Sequence, residues 1–282
     1  MDEKRKSLFG LHMANILFAG TGLFAKLIPL PAIDITALRC LLAAGFLFIL
    51  VIILKRKILL TRTRDWLLMG SCGILMCLHW VTFFHAMQVS TVAVGMIALY
   101  TYPIITVFLE PLWQGQRPHR ADLLCGLVVL AGVYLLVPEF SFKSTAALGM
   151  FWGAVSATVF ALRNVLQRHY LGQYRGDTAM LYQGLVAGLA CLPFLQHDPR
   201  SLSLPVWAQL GLLAFFCTAV PHSMFAGSLR ELKAKTAGLI SCLMPVYGVV
   251  LAWLVLGETP AFATICGGLI IVAAAAYESL RA

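Results

Sequence analysis

Residues 102–126 read YPIITVFLEPLWQGQRPHRADLLCG, and residues 244–268 read MPVYGVVLAWLVLGETPAFATICGG. The two stretches begin 142 positions apart and share one spacing: Pro103, Gly115, Pro118, Ala121 and Gly126 recur as Pro245, Gly257, Pro260, Ala263 and Gly268. Isolated apolar matches mean little in so hydrophobic a chain. Prolines and glycines held at one offset mark a duplicated block. Outward from this pattern, Phe18-Ala19 recurs as Phe160-Ala161, Lys26 is matched by Arg168, and Val107 and Leu109 by Val249 and Leu251. The chain therefore divides into two halves, residues 1–140 and 141–282.

The block lies in a chain that water does not suit. Of 282 residues, 60% are apolar and only 12% charged, with a mean hydropathy of +0.87, whereas soluble domains carry roughly one quarter charged residues. Most apolar positions must face lipid or one another. Apolar runs of roughly 18–25 residues predict ten membrane spans: 8–28, 32–54, 66–87, 91–112, 119–138, 146–168, 177–195, 205–229, 235–256 and 261–280. Lys4-Arg5-Lys6 before the first run mimics a secretory leader, but nine further apolar segments follow, so the run reads as an uncleaved first span. The eight cysteines all fall inside apolar runs without a CxxC pair, which reads as small packing residues rather than disulfides or a zinc site.

The net charge of +9 would suggest nucleic acid in a soluble protein. Placed on these spans it reads as topology instead. With the N-terminus inside, sixteen of the 21 Lys and Arg residues fall on the inner side. Only Lys26, Lys143 and Arg200 fall outside, and Arg39 and Arg163 lie within spans. This is the positive-inside pattern of an inner-membrane, multi-pass protein with both termini cytoplasmic. The repeat covers five spans, an odd number, so the second copy must insert upside down. Inverted repeats of this kind characterise many secondary transporters, whose substrate sites lie near the midplane between the repeats. The expected fold class is thus an all-α polytopic membrane protein of ten transmembrane helices in two inverted five-helix repeats.

With these features in view, the sequence resembles the drug/metabolite transporter superfamily, specifically its ten-span EamA-type branch. The resemblance is carried by residues 84–93 (FHAMQVSTVA), Tyr102-Pro103 and Leu112 to Pro118 in the first half. In the second half it is carried by Ser228-Leu229-Arg230, by Met244-Pro245-Val246-Tyr247-Gly248 and by Leu256-Gly257-Glu258. The chain departs from the family pattern where Met244 precedes the second proline and where Gly115-Gln116 replaces the first half's Gly-Glu. Coupling through carboxylates at those places is not open to it. The resemblance implies that helices one to four and six to nine surround a central cavity, with five and ten at the periphery. It implies substrates drawn from amino acids, nucleotide-linked metabolites, quaternary amines and drugs.

Polar and ionisable groups at mid-span mark cavities or pathways by default. His79 and Trp80 lie midway along the third span, and Trp80 plus the offset is His222, midway along the eighth. Two imidazoles at one depth read either as a substrate-facing pair or as histidines tied to backbone carbonyls. Tyr100 and Tyr102 precede Pro103, with Ser241 and Tyr247 around Pro245, and each proline frees a backbone carbonyl. Pro103 and Pro245 are thus expected as kinks that act as gate hinges or simply pack. Trp80, Phe83, Phe84, Tyr100 and Tyr102 form an aromatic zone suited to aromatic or cationic cargo. Glu110 and Arg163 sit at comparable depth and are expected either to pair as an inner gate or relay or to snorkel separately. Arg39 lies about 10 Å below the outer surface at ~1.5 Å per residue, to attract an anionic group or to snorkel. Asn15 and Asn164, on repeat-related helices, are further cavity candidates, as is Gln183. Gly149-x3-Gly153 and Gly184-x3-Gly188 are assigned to close helix packing.

Together these features lead to a secondary-active or facilitative carrier that moves a small metabolite, such as an amino acid or related amine, outward across the inner membrane by alternating access. No nucleotide-binding loop is present. No catalytic residues, cofactor or metal site are expected, and the partners are a small-molecule substrate and the lipid bilayer, with no nucleic acid and a homodimer left open. The rivals are an uptake carrier or exchanger for a nucleotide-like metabolite and, more remotely, an intramembrane enzyme.

Overall fold

A computed structural model describes residues 3–136, 144–247, 250 and 262–281. The expected junction between the halves at 140/141, Lys143, Gly248, the second-half landmarks Gly257, Glu258 and Pro260 and most of the ninth expected span beyond 247 lie outside the described residues. Among those described, every regular element is helical.

The first half contains α1 (Glu3–Phe18), α2 (Thr21–Leu27), α3 (Ala32–Ile53), α4 (Thr63–Val89), α5 (Val92–Leu99), α6 (Tyr102–Trp113) and α7 (Arg120–Leu136). The second contains α8 (Ser144–Tyr170), α9 (Gly176–Cys191), α10 (Leu204–Ala214), a π turn (Phe215–Ala219), α11 (Val220–Ser228), α12 (Ala234–Ser241) and α13 (Phe262–Arg281). The 142-residue offset extends to element bounds. α5 and α12 begin and end in register with it, and α7 and α13 begin in register. Among the described residues, four helices are long and apolar enough to cross a membrane: Ala32–Ile53, Thr63–Val89, Ala147–Tyr170 and Leu204–Ser228, the last spanning the π turn.

Several other expected spans are not continuous rods, for local reasons. Pro103 sits at the first turn of α6, where its missing N–H costs no hydrogen bond, and the chain turns at Tyr100-Thr101 before it. Thr101 Oγ1 takes up the Ala98 carbonyl at 2.7 Å. The second half repeats the device: α12 ends at Ser241, and residues 244–247, with Pro245, start a new helical turn. The expected proline kinks are therefore breaks between separate helices. Pro221 likewise stands at the start of α11, with the π turn directly upstream, and Thr218 Oγ1 donates to the Leu213 carbonyl at 2.9 Å within that turn.

Packing is across the halves and symmetric under their exchange. α4 lies on α8 and its counterpart pairing sets α1 on α11, while α3 lies on α9 and α7 on α13, each with its own counterpart. Small residues allow these approaches. A Cβ at Gly153 would lie 2.4 Å from Ala98 Cβ, and one at Gly188 2.7 Å from Leu41 Cγ, as expected for the two glycine pairs. The tightest approach is at Gly176, where a Cβ would overlap the Ser223 carbonyl oxygen and lie 2.5 Å from the Gly227 nitrogen.

Backbone cannot retreat as a flexible side chain can. Gly176→Ala is expected to destabilise the protein by about 1–3 kcal/mol, read as a lowered melting temperature in detergent micelles. Gly70→Ala on α4, where an added Cβ meets nothing within 4 Å, is expected to be neutral or stabilising by up to about 1 kcal/mol.

Candidate functional site

A small cavity, about 50 Å³, lies at the centre of the bundle, lined by Phe18, Thr21, His79, Trp80, Phe83, Met96, Leu99, Tyr102, Phe160, His222, Phe225, Ser241 and Met244. That is room for a few water molecules. Ten of the thirteen lining residues form five pairs at the repeat offset: Phe18 with Phe160, Trp80 with His222, Phe83 with Phe225, Leu99 with Ser241 and Tyr102 with Met244. A cavity built of equivalent residues from both halves lies on the pseudo-two-fold axis relating them.

One pair meets directly. Trp80 Nε1 donates to His222 Nε2 at 3.2 Å across 142 residues, with the rings edge-on at 5.0 Å. This bond fixes the His222 tautomer: Nε2 accepts, so Nδ1 carries the proton, and Nδ1 is buried without a protein partner. His79 is held differently. Its Nδ1 lies 2.7 Å from Ser156 Oγ, which itself donates to the His79 carbonyl at 3.0 Å. The ring therefore donates through Nδ1 and keeps Nε2 as an acceptor. The wall thus offers one imidazole acceptor and one imidazole donor, both neutral.

Aromatic rings frame them. His79 stacks on Phe160 at 4.3 Å and parallels Phe83 at 5.9 Å, Phe18 meets His222 edge-on at 4.5 Å, and Tyr102 meets Phe160 at 5.0 Å. The Tyr102 hydroxyl donates to the Gly238 carbonyl at 3.3 Å. Among the described residues, no carboxylate lines the cavity. Such a wall suits a compact, flat or cationic cargo with few hydrogen-bonding groups.

Of the expected cavity residues, His79, Trp80, Phe83, Tyr102, His222 and Ser241 line it, whereas Tyr100, Asn15, Asn164, Tyr247, Gln183 and Phe84 do not. Tyr100 is buried outside the lining, its hydroxyl unpartnered. Asn15 Nδ2 ties α1 to the Ile240 carbonyl at 3.3 Å. Asn164 Oδ1 accepts from Arg163 Nη1 at 3.0 Å. The Tyr247 hydroxyl lies 3.5 Å from His12 Nδ1. Phe18, Phe160 and Phe225 were legible only by applying the repeat offset to each aromatic position. Phe84 lies behind Trp80, under Arg39.

The charged residues correct the expectation more sharply. Glu110 and Arg163 do not pair. Glu110 accepts the backbone N–H groups of Ala234 and Lys235 at 3.0 and 2.9 Å, capping α12 from another helix. Arg163, fully buried, donates through Nε and Nη2 to Gln183 Oε1 at 2.8 and 2.6 Å, and Gln183 in turn donates to Gln167 at 2.7 Å. Matched depth did not mean matched azimuth: α6 turns Glu110 toward α12, and α8 turns Arg163 toward α9. Nor does Arg39 snorkel. It is 0% exposed, with its guanidinium carbon 4.7 Å over Trp80 and 4.6 Å over Phe84 and Nη1 donating to Thr218 at 3.2 Å.

The end carrying the basic loops is crossed by polar contacts between the halves. Lys235 pairs with Asp122, Trp113 Nε1 donates to the Tyr170 hydroxyl at 3.2 Å, and Gln114 meets His169 at 3.2 Å. At the opposite end, Gln88 bridges Ala32 N and the Leu30 carbonyl at 3.0 and 2.9 Å, and Asp34 holds His197 at 2.8 Å.

Trp80→Phe keeps an aromatic ring but orphans the buried His222 Nε2. It is expected to lower stability by about 1–2 kcal/mol, with much of that loss cancelled in the Trp80→Phe/His222→Phe double variant, as read by SDS titration in mixed micelles. Glu110→Gln weakens the helix cap and is expected to cost about 1 kcal/mol by the same titration.

Comparison with known proteins gives this arrangement its context. The model of the EamA-like transporter family matches twice, over residues 5–137 and 147–278. The uncharacterized transporter YxxF of Bacillus subtilis is 23% identical over 99% of this chain and 91% of its own length. The pseudopaline exporter CntI of Pseudomonas aeruginosa is 26% identical over 87% of this chain and 85% of its own. A solved crystal structure at 18% identity superposes with a TM-score of 0.80 over 99% of this chain and 97% of that chain, a likeness of fold. The chain belongs to the EamA-like transporter family of the drug/metabolite transporter superfamily, membrane-embedded transporters of small molecules rather than enzymes.

Proposed function

We propose that this protein is a ten-span carrier of the inner membrane, with both termini cytoplasmic, whose two halves are inverted five-span repeats. It moves a small metabolite, an amino acid or related amine, outward by alternating access. The observation that carries the reading is the five offset-related pairs around one central cavity. A site on the axis of two inverted repeats is equally related to both faces of the bilayer, so exchanging the conformations of the halves exchanges the side to which it opens. The small cavity and the polar contacts across the basic end suit a closed resting state.

The cargo class rests on the wall. A neutral donor and acceptor at His222 and His79, among Phe18, Phe83, Phe160 and Phe225, match an amine held by ring faces and a few hydrogen bonds. The outward direction is supported by the likeness to a named exporter. The uptake or exchange reading for a nucleotide-like metabolite is less well supported, since among the described residues no cation lines the cavity to meet a phosphate.

Two experiments test this. In a background lacking the native cysteines, Arg62→Cys and Arg200→Cys are expected to react with a membrane-impermeant maleimide from opposite sides of the bilayer. Labelling from one side would overturn the inverted topology. Separately, a thermal-shift panel of the proteinogenic amino acids and simple amines on the detergent-purified chain is expected to give a stabilising ligand, with the shift lost in both His79→Ala and His222→Ala. Shifts retained by both variants would remove the histidine pair from the site. For any cargo so found, proteoliposome transport at equal rates with and without an imposed pH gradient would exclude proton coupling.

A further inference from the structure

A second recess, about 580 Å³ and far larger than the central cavity, opens on the flank of the bundle between α3, the start of α9, the π turn and α11. Its wall is apolar and exposed: Ile49 is 57% and Ile53 70% accessible, with Leu50 and Phe215 beside them. From Phe46 to Ile53 this wall rises about 11 Å at ~1.5 Å per residue. That approaches the half-thickness of a bilayer's hydrocarbon core, about 15 Å.

The recess is polar at one end only. Arg56, Arg175 and Arg230 line it there with a single carboxylate, Asp177. Asp177 pairs with Arg56 and lies 3.7 Å from Arg175 Nε. Arg230 Nε donates to the Gly172 carbonyl at 3.1 Å, which satisfies a hydrogen bond but neutralises no charge. Among the described residues lining the recess, three guanidinium groups thus share one carboxylate, and Glu3, outside the lining, also interacts electrostatically with Arg230. Ser223, packed against Gly176 at the same end, has a buried hydroxyl without a protein partner.

We propose that this recess binds an anionic phospholipid, its headgroup phosphate on Arg175 and Arg230 and one acyl chain along the exposed face of α3. An acyl chain matches the apolar wall and its length, and the anionic headgroup supplies the charge that Asp177 alone does not. A free phosphate would leave the wall bare, and a second copy of the chain would set arginines against arginines. The position agrees with the basic loops lying at the cytoplasmic leaflet, where clustered arginines draw anionic lipid. The site is separate from the cargo cavity and stands whether or not the proposed cargo is correct.

The test is native mass spectrometry of the full chain, delipidated in detergent and mixed with equal amounts of dioleoyl-phosphatidylglycerol and dioleoyl-phosphatidylcholine. Phosphatidylglycerol is expected to be retained about tenfold more than phosphatidylcholine. Arg175→Gln/Arg230→Gln is expected to reduce that preference to about twofold or less, and Ile49→Trp to reduce retention of both lipids. Arg200→Gln, at the opposite end, is expected to change nothing. Arg175→Gln alone, at an exposed side chain, serves if the double variant does not fold, with an intermediate preference expected. Equal retention of the two lipids by the unaltered chain, or a preference unmoved by the arginine variants, would overturn the proposal.

Discussion

A buried donor and a buried acceptor that meet across the repeat axis anchor everything else in this molecule. Residues at equivalent positions of two halves can touch each other only on the axis relating them, so the Trp80–His222 bond locates that axis inside the bundle. The same operation then brings Phe18 toward Phe160 and Phe83 toward Phe225 around one cavity. The bond also requires that the halves differ. Two tryptophans would present two N–H donors and no acceptor, leaving both unsatisfied in surroundings where an unpaired polar group is costly. A histidine in the second copy supplies the acceptor, and the pair forms a hydrogen bond instead of a clash of donors.

The buried cations follow a related logic. Arg39 and Arg163 are both fully enclosed and neither has a carboxylate within hydrogen-bonding reach among the described residues. Arg163 is solvated by amides, chiefly the Gln183 side chain, whose oxygen accepts two of its N–H groups. Arg39 is solvated by ring faces, held against Trp80 and Phe84. Carboxylates are used elsewhere: Glu110 caps α12, Asp122 meets Lys235 and Asp34 gathers the segment at Gln196 and His197. With no carboxylate among the described residues of the cavity wall, an amine there is met by rings and imidazole nitrogen rather than by an ion pair.

Much of this was legible in the sequence, because membrane spans and repeats are written in composition and spacing. The Pro103 and Pro245 offset identified the duplication, and adding it to Trp80 gave His222. What failed was inference from depth alone. Glu110 and Arg163 share a depth but face different helices, and a span drawn from apolar runs carries no azimuth. Asn15 and Asn164 were chosen for their repeat-related helices, yet Asn15 ties α1 to the Ile240 carbonyl and Asn164 only accepts from Arg163, its neighbour on α8. Phe18 and Phe160 were noticed as a repeat match but not as cavity residues, and Phe225 escaped notice, because phenylalanine is common in so apolar a chain. Only their repeat relation to residues already on the wall sets them apart.

The halves also differ in where they bend, which bears on how the proposed exchange of conformations would run. α1 and α2 are separated at Ala19-Gly20, whereas α8 runs unbroken through the equivalent Ala161-Leu162. Conversely α4 is continuous through His79, whereas its counterpart carries the π turn before Pro221, the residue equivalent to His79. Each half therefore pairs one straight helix with one interrupted one, and the straight member of one packs on the straight member of the other, α4 on α8. The interrupted pair, α1 on α11, lies across the axis from them. An exchange of states thus has its compliant elements on one side of the cavity and its rigid ones on the other. The Trp80–His222 bond joins the two sides, so opening toward either face must either carry that bond along or break it.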